Sequence, residues 1–439
     1  MSKKIFFIGI GGVGMTALAL LSKKSGFLVE GSDVYCGENV ILLEKAGVKV
    51  YIGHDKNNVS NQDLVVYSSA VPKENVELIQ AEKNNIPTLS RAEYLRHFSE
   101  FFSIKIGVCG SHGKTTATSL IGNLLIEEKL PCAVVLGGES VNFGCCHYSG
   151  NNLFLSEICE YKRNIDKFYP SIAVCLNIDN DHLECYKNFE ELKQSFYNFL
   201  NKATYKVINI DDENLKELNG ENVVTFSLEN FNADYFAKIT RFCEDTLYFD
   251  VYKKGKFYFS SQIKSICRHN LYNVLSCVAV SNLLGVDKIA LDNSFKKYLG
   301  VKRRMEYLGK NNNVKYFSDY AHHPTEIEKT LQSFKKAFHS GFAVVFQPHT
   351  YSRTKILFNQ FLRVLGQADS LIIYKTYPSR ETEKDGMSGY DLALALNCAY
   401  AEDTKKISDE IFRLNKKVVL FLGAGDIYEI GKYLANKKL

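Results

Sequence analysis

The sequence predicts an α/β protein of three domains built on parallel, helix-covered sheets. Strand-like and helix-like segments alternate through the first hundred residues, and a glycine-rich turn joins a strand to a helix at Gly9-Ile10-Gly11-Gly12-Val13-Gly14 and again at Gly110-Ser111-His112-Gly113. A chain of 439 residues also has room for several cores at roughly 100–200 residues per domain.

Taken in order, residues 5–10, 27–31 and 48–52 read as strands, with helices at 15–25 and 40–46 between them. Residues 63–70 read as a strand ending in small polar residues, and 86–90 as a further short one. A second unit opens on the apolar run before Gly110. It carries a helix from about 117 to 126, strands near 153–156 and 172–176, a helix over 189–200, a β-patterned stretch over 222–259 and a helix from about 269 to 284. A third unit starts near Gly300, with strands at 315–318, 342–346, 370–373 and 418–421 and helices over 326–337 and 356–365. The expected divisions are 1–102, 103–299 and 300–439.

Composition narrows the classes. The chain is 46% hydrophobic and 23% charged, an ordinary globular balance. Its net charge of +5 is spread along the chain rather than gathered in a basic block, so no nucleic-acid footprint is expected. Twelve cysteines without C-x-x-C spacing, several inside apolar runs (Cys109, Cys175, Cys277), read as buried reduced thiols. No stretch approaches ~20 apolar residues and the start has no cleavable apolar region. A cytoplasmic protein without membrane insertion is expected.

The most informative run is Val108-Cys109-Gly110-Ser111-His112-Gly113-Lys114-Thr115-Thr116. Backbone N–H groups in such a turn face phosphate oxygens, Lys114 supplies a cation for the β/γ-phosphates, and a Thr hydroxyl can hold Mg2+. Val108 stands where the full G-x-x-x-x-G-K-[ST] motif has Gly, so a nucleoside triphosphate is indicated by the run but not by a complete motif. The earlier turn fits G-x-G-x-x-G, with Asp33 about where a ribose-binding acid stands. Glycines there admit any nucleotide diphosphate at a helix N-terminus, so NAD and other diphosphates are both open.

Several acids, amides and bases collect at predicted strand ends, where ligands of open α/β sheets gather. Glu157 ends a strand, with Glu160 just beyond, and suits Mg2+ beside bound phosphates, although a solvated Glu has the same signature. Asn177-Ile178-Asp179-Asn180-Asp181-His182 follows the next strand, and His182 could bind metal or phosphate. Asn270 offers a donor and an acceptor to an adenine edge, or else caps its helix. In the third unit Asp319-Tyr320-Ala321-His322-His323-Pro324-Thr325-Glu326 ends a strand and starts a helix, with Thr325 or Asp319 as the expected cap. Arg303, Arg304 and the arginine of Gln347-Pro348-His349-Thr350-Tyr351-Ser352-Arg353 suit carboxylate or phosphate clamps, or are solvated charge.

Together these stretches, with Ser68-Ser69-Ala70 and Gly423-Ala424-Gly425-Asp426, resemble the Mur ligase family of peptidoglycan synthesis over nearly the whole chain. The resemblance implies a Rossmann-like N-terminal domain for a UDP-sugar, a P-loop ATPase-like central domain and a Rossmann-like C-terminal domain for the amino acid. It assigns Gly9, Gly11, Gly12, Gly14, Met15, Asp33, Ser68 and Ser69 to the UDP-sugar. It assigns Gly110, Ser111, His112, Gly113, Lys114, Thr115, Thr116, Asn270, Arg304 and Asp319 to ATP, and Thr115, Glu157 and His182 to Mg2+. Lys114, His182, His323, His349 and Arg353 are then the expected catalytic set. Cys159 stands where many members carry Asp, and others carry Cys.

The implied reaction joins L-alanine to the lactyl carboxylate of UDP-N-acetylmuramate, through an acyl phosphate made from ATP. Relatives that add a tripeptide share His-His-Pro but read Glu-Pro-Arg-Ser where this chain has Gln347-Pro348-His349-Thr350, which favours alanine. A histidine such as His323 is a candidate base for the amine proton, because imidazole titrates near neutral pH; transfer to phosphate or water stands beside it. A monomer or weak homodimer is expected. The rival classes are an NAD-linked oxidoreductase and a non-catalytic nucleotide sensor on the same fold.

Overall fold

The computed structural model describes residues 3–179, 185–243, 245–339, 341–379, 381–382 and 386–437. Its first sheet holds Lys4–Ile8 (β1), Leu28–Asp33 (β2), Lys49–Ile52 (β3), Leu64–Tyr67 (β4) and Thr88–Ser90 (β5), all parallel in the order β3-β2-β1-β4-β5. Side chains alternate across a strand, so Ile5 and Phe7 enter one core while Phe6 and Ile8 enter another on the opposite face. The strand order reverses between β1 and β4. Gly9 follows β1 and Ser68 follows β4, which puts both at this switch point.

The second sheet comprises Ile104–Cys109 (β6), Cys132–Ser140 (β7), Gly144–Tyr148 (β8), Leu153–Glu157 (β9), Ile172–Cys175 (β10), Tyr205–Asn209 (β11), Val223–Ser227 (β12), Tyr235–Cys243 (β13), Thr246–Lys253 (β14) and Lys256–Lys264 (β15). Their order is β15-β14-β13-β12-β11-β10-β6-β9-β7-β8. The strand before the phosphate loop, β6, therefore lies between β9 and β10 and is parallel to both. Glu157 and Asn177 consequently emerge at the same edge as Gly110. The β7–β8 hairpin was not expected from the sequence, because a short apolar run does not by itself distinguish strand from helix.

The third sheet contains Glu306–Asn311 (β16), Val314–Asp319 (β17), Ala343–Phe346 (β18), Leu371–Tyr374 (β19), Ala399–Ala401 (β20) and Val418–Leu422 (β21), in the order β16-β17-β21-β18-β19-β20. Only the β16–β17 pair is antiparallel. Val344 and Phe346 face one core and Ala343 and Val345 the other.

Three sheets fold into two compact units: Met1–Arg241 with Tyr248–Ile263 and His269–Val301, and Phe242–Leu247 with Lys264–Arg268 and Lys302–Leu439. Shared aromatic packing explains why the first two sheets form one unit. Phe98, from the helix Arg91–Ser99, meets Phe27 and Tyr94 of the first sheet's layer at centroid distances of 6.3 and 6.1 Å, and Phe154 of β9 at 6.2 Å. Phe102 lies 5.2 Å from Phe154. Phe98→Ala is expected to destabilise this unit by about 3–5 kcal/mol, because truncation leaves a cavity in a close-packed core. Urea unfolding followed by near-UV circular dichroism measures the loss.

Two local expectations in the third unit are corrected. The helix Pro324–Ala337 is capped by His323, not by Thr325 or Asp319. Pro324 takes the first helical position, so the residue before it becomes the cap, while the Asp319 carboxylate already accepts the Met305 and Ala321 N–H groups, both at 2.9 Å. The single helix expected over 356–365 is instead two, Tyr351–Ile356 and Phe358–Leu365, meeting at Leu357.

Candidate functional site

The phosphate-loop helix runs from Lys114 to Glu127, starting three residues before the expected 117. Gly113 makes this possible: it caps the helix in the left-handed conformation (φ +87°), and a β-carbon there would lie 2.8 Å from Asn273 Oδ1. Gly110 is also left-handed in φ (+140°) and a β-carbon would crowd Leu176 and Asn177 at 3.1–3.2 Å. At both positions the absence of a side chain lets the loop pack directly against Leu176, Asn177 and Asn273. Asn177 clamps this loop, accepting the His112 N–H at 2.8 Å and donating to the His112 carbonyl at 3.0 Å. Asp179 adds a contact between its carboxylate and His112 Nε2 at 3.1 Å, and its N–H donates to Ser111 Oγ at 2.8 Å.

Lys114 Nζ donates to the Gly110 carbonyl at 2.5 Å and to both Glu160 oxygens at 3.1 and 3.0 Å. Glu160 is fully buried and Lys114 only 15% exposed. Burial pulls the lysine pKa down, but the charge of Glu160, with Cys159 and Glu157, outweighs it and holds the ammonium above its ordinary value. Sequence reading noted Glu160 without giving it a role. Its position just beyond a strand-end carboxylate was the available signal.

Thr115 Oγ1 donates to Glu157 Oε2 at 2.7 Å, and the Gly137 N–H donates to the other carboxylate oxygen. Two hard oxygen donors therefore face each other at the helix start, a donor set that fits Mg2+. Among the described residues no group of three or more His, Cys, Asp and Glu is placed to hold a metal ion. His182, the third residue expected at the metal, lies outside the described residues. Thr116 occupies the same first helical turn as Thr115.

Asn270 is the first residue of the helix Asn270–Leu283, with His269 at the cap, so its amide does not cap the helix. Its Oδ1 accepts from Asn273 Nδ2 at 3.0 Å, and Asn273 abuts Gly113. The pair thereby stands beside the phosphate loop. Asn273 was not singled out from the sequence.

At the first sheet's switch point, Gly9 (φ +74°) and Ile10 donate to the Ser32 carbonyl at 2.8 and 3.0 Å, and Gly11 donates to Asp33 Oδ2 at 2.8 Å. Gly12 caps the helix Val13–Lys24, whose first turn has no acidic residue and whose cap makes no side-chain hydrogen bond. A β-carbon on Gly9 would press on Ser68 at 3.2 Å. Met15 is 1% exposed, its side chain packed in the core. Lys162 Nζ, from the second sheet's layer, donates to the Ser69 carbonyl at 2.9 Å. Glycines of this turn, Ser68 and Ser69 are thus brought together.

In the second compact unit, the strand-end residues of the third sheet form a separate cluster. The imidazoles of His322 and His349 are 5.8 Å apart, and His349 stacks on Tyr377 at 5.5 Å. His349 Nδ1 and one Arg353 terminal nitrogen are buried without a hydrogen-bond partner among the described residues. Burial, reinforced by His322 and Arg353, pushes the His349 pKa down to about 4. Burial likewise lowers His322, against the pull of Glu326. Asp319 is pushed up by burial although Arg304 opposes it. His323 spends Nδ1 on the Thr325 N–H at 3.4 Å. Arg303 donates to the Ala424 and Gly425 carbonyls, both at 3.4 Å, and so acts as a brace rather than a solvated charge.

A depressed histidine pKa means that the native state binds fewer protons than the unfolded chain between pH ~6.5 and pH ~4. The His349 contribution to stability is therefore present above the unfolded value and lost as pH falls through that window. The urea midpoint is expected to drop over this range, and His349→Gln to drop less steeply than wild type.

These features define a nucleotide-dependent enzyme fold of a particular kind: the chain belongs to the Mur ligase family. Residues 4–103 match the Mur ligase family catalytic domain, 108–281 the Mur ligase middle domain and 303–425 the Mur ligase glutamate ligase domain. The chain is similar end to end to the UDP-N-acetylmuramate–L-alanine ligase of Clostridium acetobutylicum, with 36% identity over 100% of this chain and 98% of the relative. The enzyme of the same name from Caldicellulosiruptor saccharolyticus is also 36% identical, over 99% and 98% of the two chains. Among solved structures, UDP-N-acetylmuramate-alanine ligase MurC of Thermotoga maritima superposes with a TM-score of 0.81 and 28% identity over 98% of each chain. The murein peptide ligase of Psychrobacter arcticus shares the fold, with a TM-score of 0.68 and 21% identity over 100% of each chain. No described helix is long and apolar enough to cross a membrane.

Proposed function

We propose that this chain joins L-alanine to the lactyl carboxylate of UDP-N-acetylmuramate at the expense of ATP, in the cytoplasmic synthesis of peptidoglycan precursors. The observation that carries the reading is the phosphate loop with Lys114 held on buried Glu160 and Thr115 facing Glu157, in a chain that full-length relatives of that name match. The divisions at 102 and 299 belong to the same reading, with the UDP-sugar at the first sheet, ATP at the second and alanine at the third.

ATP supplies a γ-phosphoryl group that makes the carboxylate an acyl phosphate, and Mg2+ offsets the charge of the two anions that meet in that step. Thr115, Glu157 and His182 are the residues we assign to the metal. Loop N–H groups from Gly110 to Thr116, with Lys114, bind and neutralise the phosphates. Asn270 is assigned to adenine, and Arg304 and Asp319 are also assigned to ATP. Alanine's amine then attacks the acyl carbon, the C–O bond to phosphate breaks, and the amine gives up a proton. His323, His349 and Arg353 are assigned to this half. Arg353 suits the alanine carboxylate, and His323 is the candidate base for the amine proton.

The test is phosphate release from ATP with Mg2+ and UDP-N-acetylmuramate, run with L-alanine, glycine, L-serine, the tripeptide or no acceptor, with mass analysis of each product. A UDP-sugar heavier by one alanyl residue is expected. Preference for the tripeptide, or release independent of any acceptor, overturns the reading.

A further inference from the structure

One cation beside the first-domain turn has no role in the reading above. Arg91 opens the helix Arg91–Ser99, and its backbone is pinned by a capping box: Ser90 Oγ accepts the Glu93 N–H while the Glu93 carboxylate accepts the Ser90 N–H at 2.9 Å. Lys167, from the second sheet's layer, holds the same Glu93 at 3.1 Å. One turn on, the Tyr94 hydroxyl meets Ser22 Oγ at 2.6 Å in the core, tying this helix to Val13–Lys24. The Arg91 side chain is therefore delivered to a fixed place. A β-carbon on Gly14 would stand 2.9 Å from a guanidinium nitrogen and 3.5 Å from Cζ, so the guanidinium lies over Gly14, in the first turn of Val13–Lys24.

Charge makes this arrangement unusual. The N-terminus of Val13–Lys24 is the positive end of a twelve-residue helix with no acidic residue in its first turn. A guanidinium beside it adds like charge, and among the described residues Arg91 has neither a hydrogen-bond nor an ion-pair partner. Its charge also reaches the Cys159 thiol, next to the Glu160 that holds Lys114. Arg91 thus stands between the glycine turn and the phosphate loop's surroundings.

We propose that Arg91 binds the diphosphate of the UDP-sugar, clamping it against the glycine turn from the side that faces the second sheet. The planar fork of a guanidinium can hold two phosphate oxygens at once while the N-terminus of Val13–Lys24 holds the others. Two positive groups that repel each other when alone are both neutralised by one dianionic ligand. Glycine at position 14 keeps the guanidinium close to the turn. This inference rests on the UDP-sugar reading of the first sheet.

The test compares Arg91→Ala, Arg91→Lys and, as a control on the exposed face of the same helix, Arg96→Ala. Calorimetry with UDP, UMP and UDP-N-acetylmuramate gives affinities, and steady-state kinetics separates the KM for each substrate. R91A is expected to weaken UDP and UDP-N-acetylmuramate by about 10–100-fold, the effect of losing a charge-assisted hydrogen bond. Its preference for UDP over UMP should shrink, while the KM for ATP stays within about twofold. R91K, which keeps the charge but not the fork, should fall between R91A and wild type, and R96A should match wild type. An unliganded melting temperature equal to wild type shows that each variant is folded. Wild-type affinity for UDP in folded R91A or R91K overturns the role of Arg91 alone. Failure of the wild-type protein to bind any uridine nucleotide overturns the UDP-sugar reading and the role of Arg91 with it.

Discussion

Lys114→Ala is expected to abolish acceptor-dependent phosphate release, by at least ~10^3-fold, while UDP-N-acetylmuramate still binds at the first sheet. The structure adds a second consequence. Glu160 is completely buried and both its oxygens are held by Lys114. Removing the ammonium strands a carboxylate in the interior, an event worth about 3–5 kcal/mol of stability when no other partner is available. Loss of rate and loss of stability are separable. In Lys114→Met/Glu160→Gln no uncompensated charge remains, so stability should recover while ligation stays absent. Full ligase activity in Lys114→Ala sinks the phosphate-loop assignment, and an inactive but fully stable variant sinks the ion-pair account.

Glu157→Gln should cost about 10^2-fold or more in turnover and raise the Mg2+ concentration needed for half-maximal rate at least ~10-fold, because an amide is a poor ligand for a hard cation. Affinity for UDP should not change, since Glu157 lies on the second sheet. Gly137→Ala provides an independent approach to the same carboxylate. A β-carbon at 137 would push aside the Glu157 carboxylate, whose oxygen takes the Gly137 N–H. That variant should show the same shift in metal requirement without any change of ligand chemistry. An unchanged Mg2+ dependence in both would remove Glu157 from the metal.

The phosphate loop and the glycine turn were legible because each is contiguous: a strand, a turn whose glycines admit positive φ, and a helix follow one another within about a dozen residues. The same holds for most strands of the three sheets, where alternation and apolar runs mark the element directly. The partners that give these motifs their electrostatics were not legible. Glu160 lies 46 residues from Lys114 and Asn177 lies 65 from His112. They meet because β6 is inserted between β9 and β10, an order that no local pattern encodes. Arg91 was missed for the same reason: it belongs to a helix whose place beside Gly14 is set by Tyr94 and Ser22. The helix cap at His323 was misread because the choice among neighbouring caps depends on which carboxylate is already engaged, and Asp319 is.

By itself the sequence determined the family, the three α/β layers and the residue types available for phosphate, metal and carboxylate chemistry, since these reside in short runs whose backbone requirements are local. Only the tertiary structure decided which charges face one another. Lys114 is held by Glu160, and Arg91 remains over Gly14 without a hydrogen-bond or ion-pair partner among the described residues. The physical reason is that a charge's behaviour depends on burial and on neighbours within a few ångströms, and strand order rather than sequence distance brings those neighbours together.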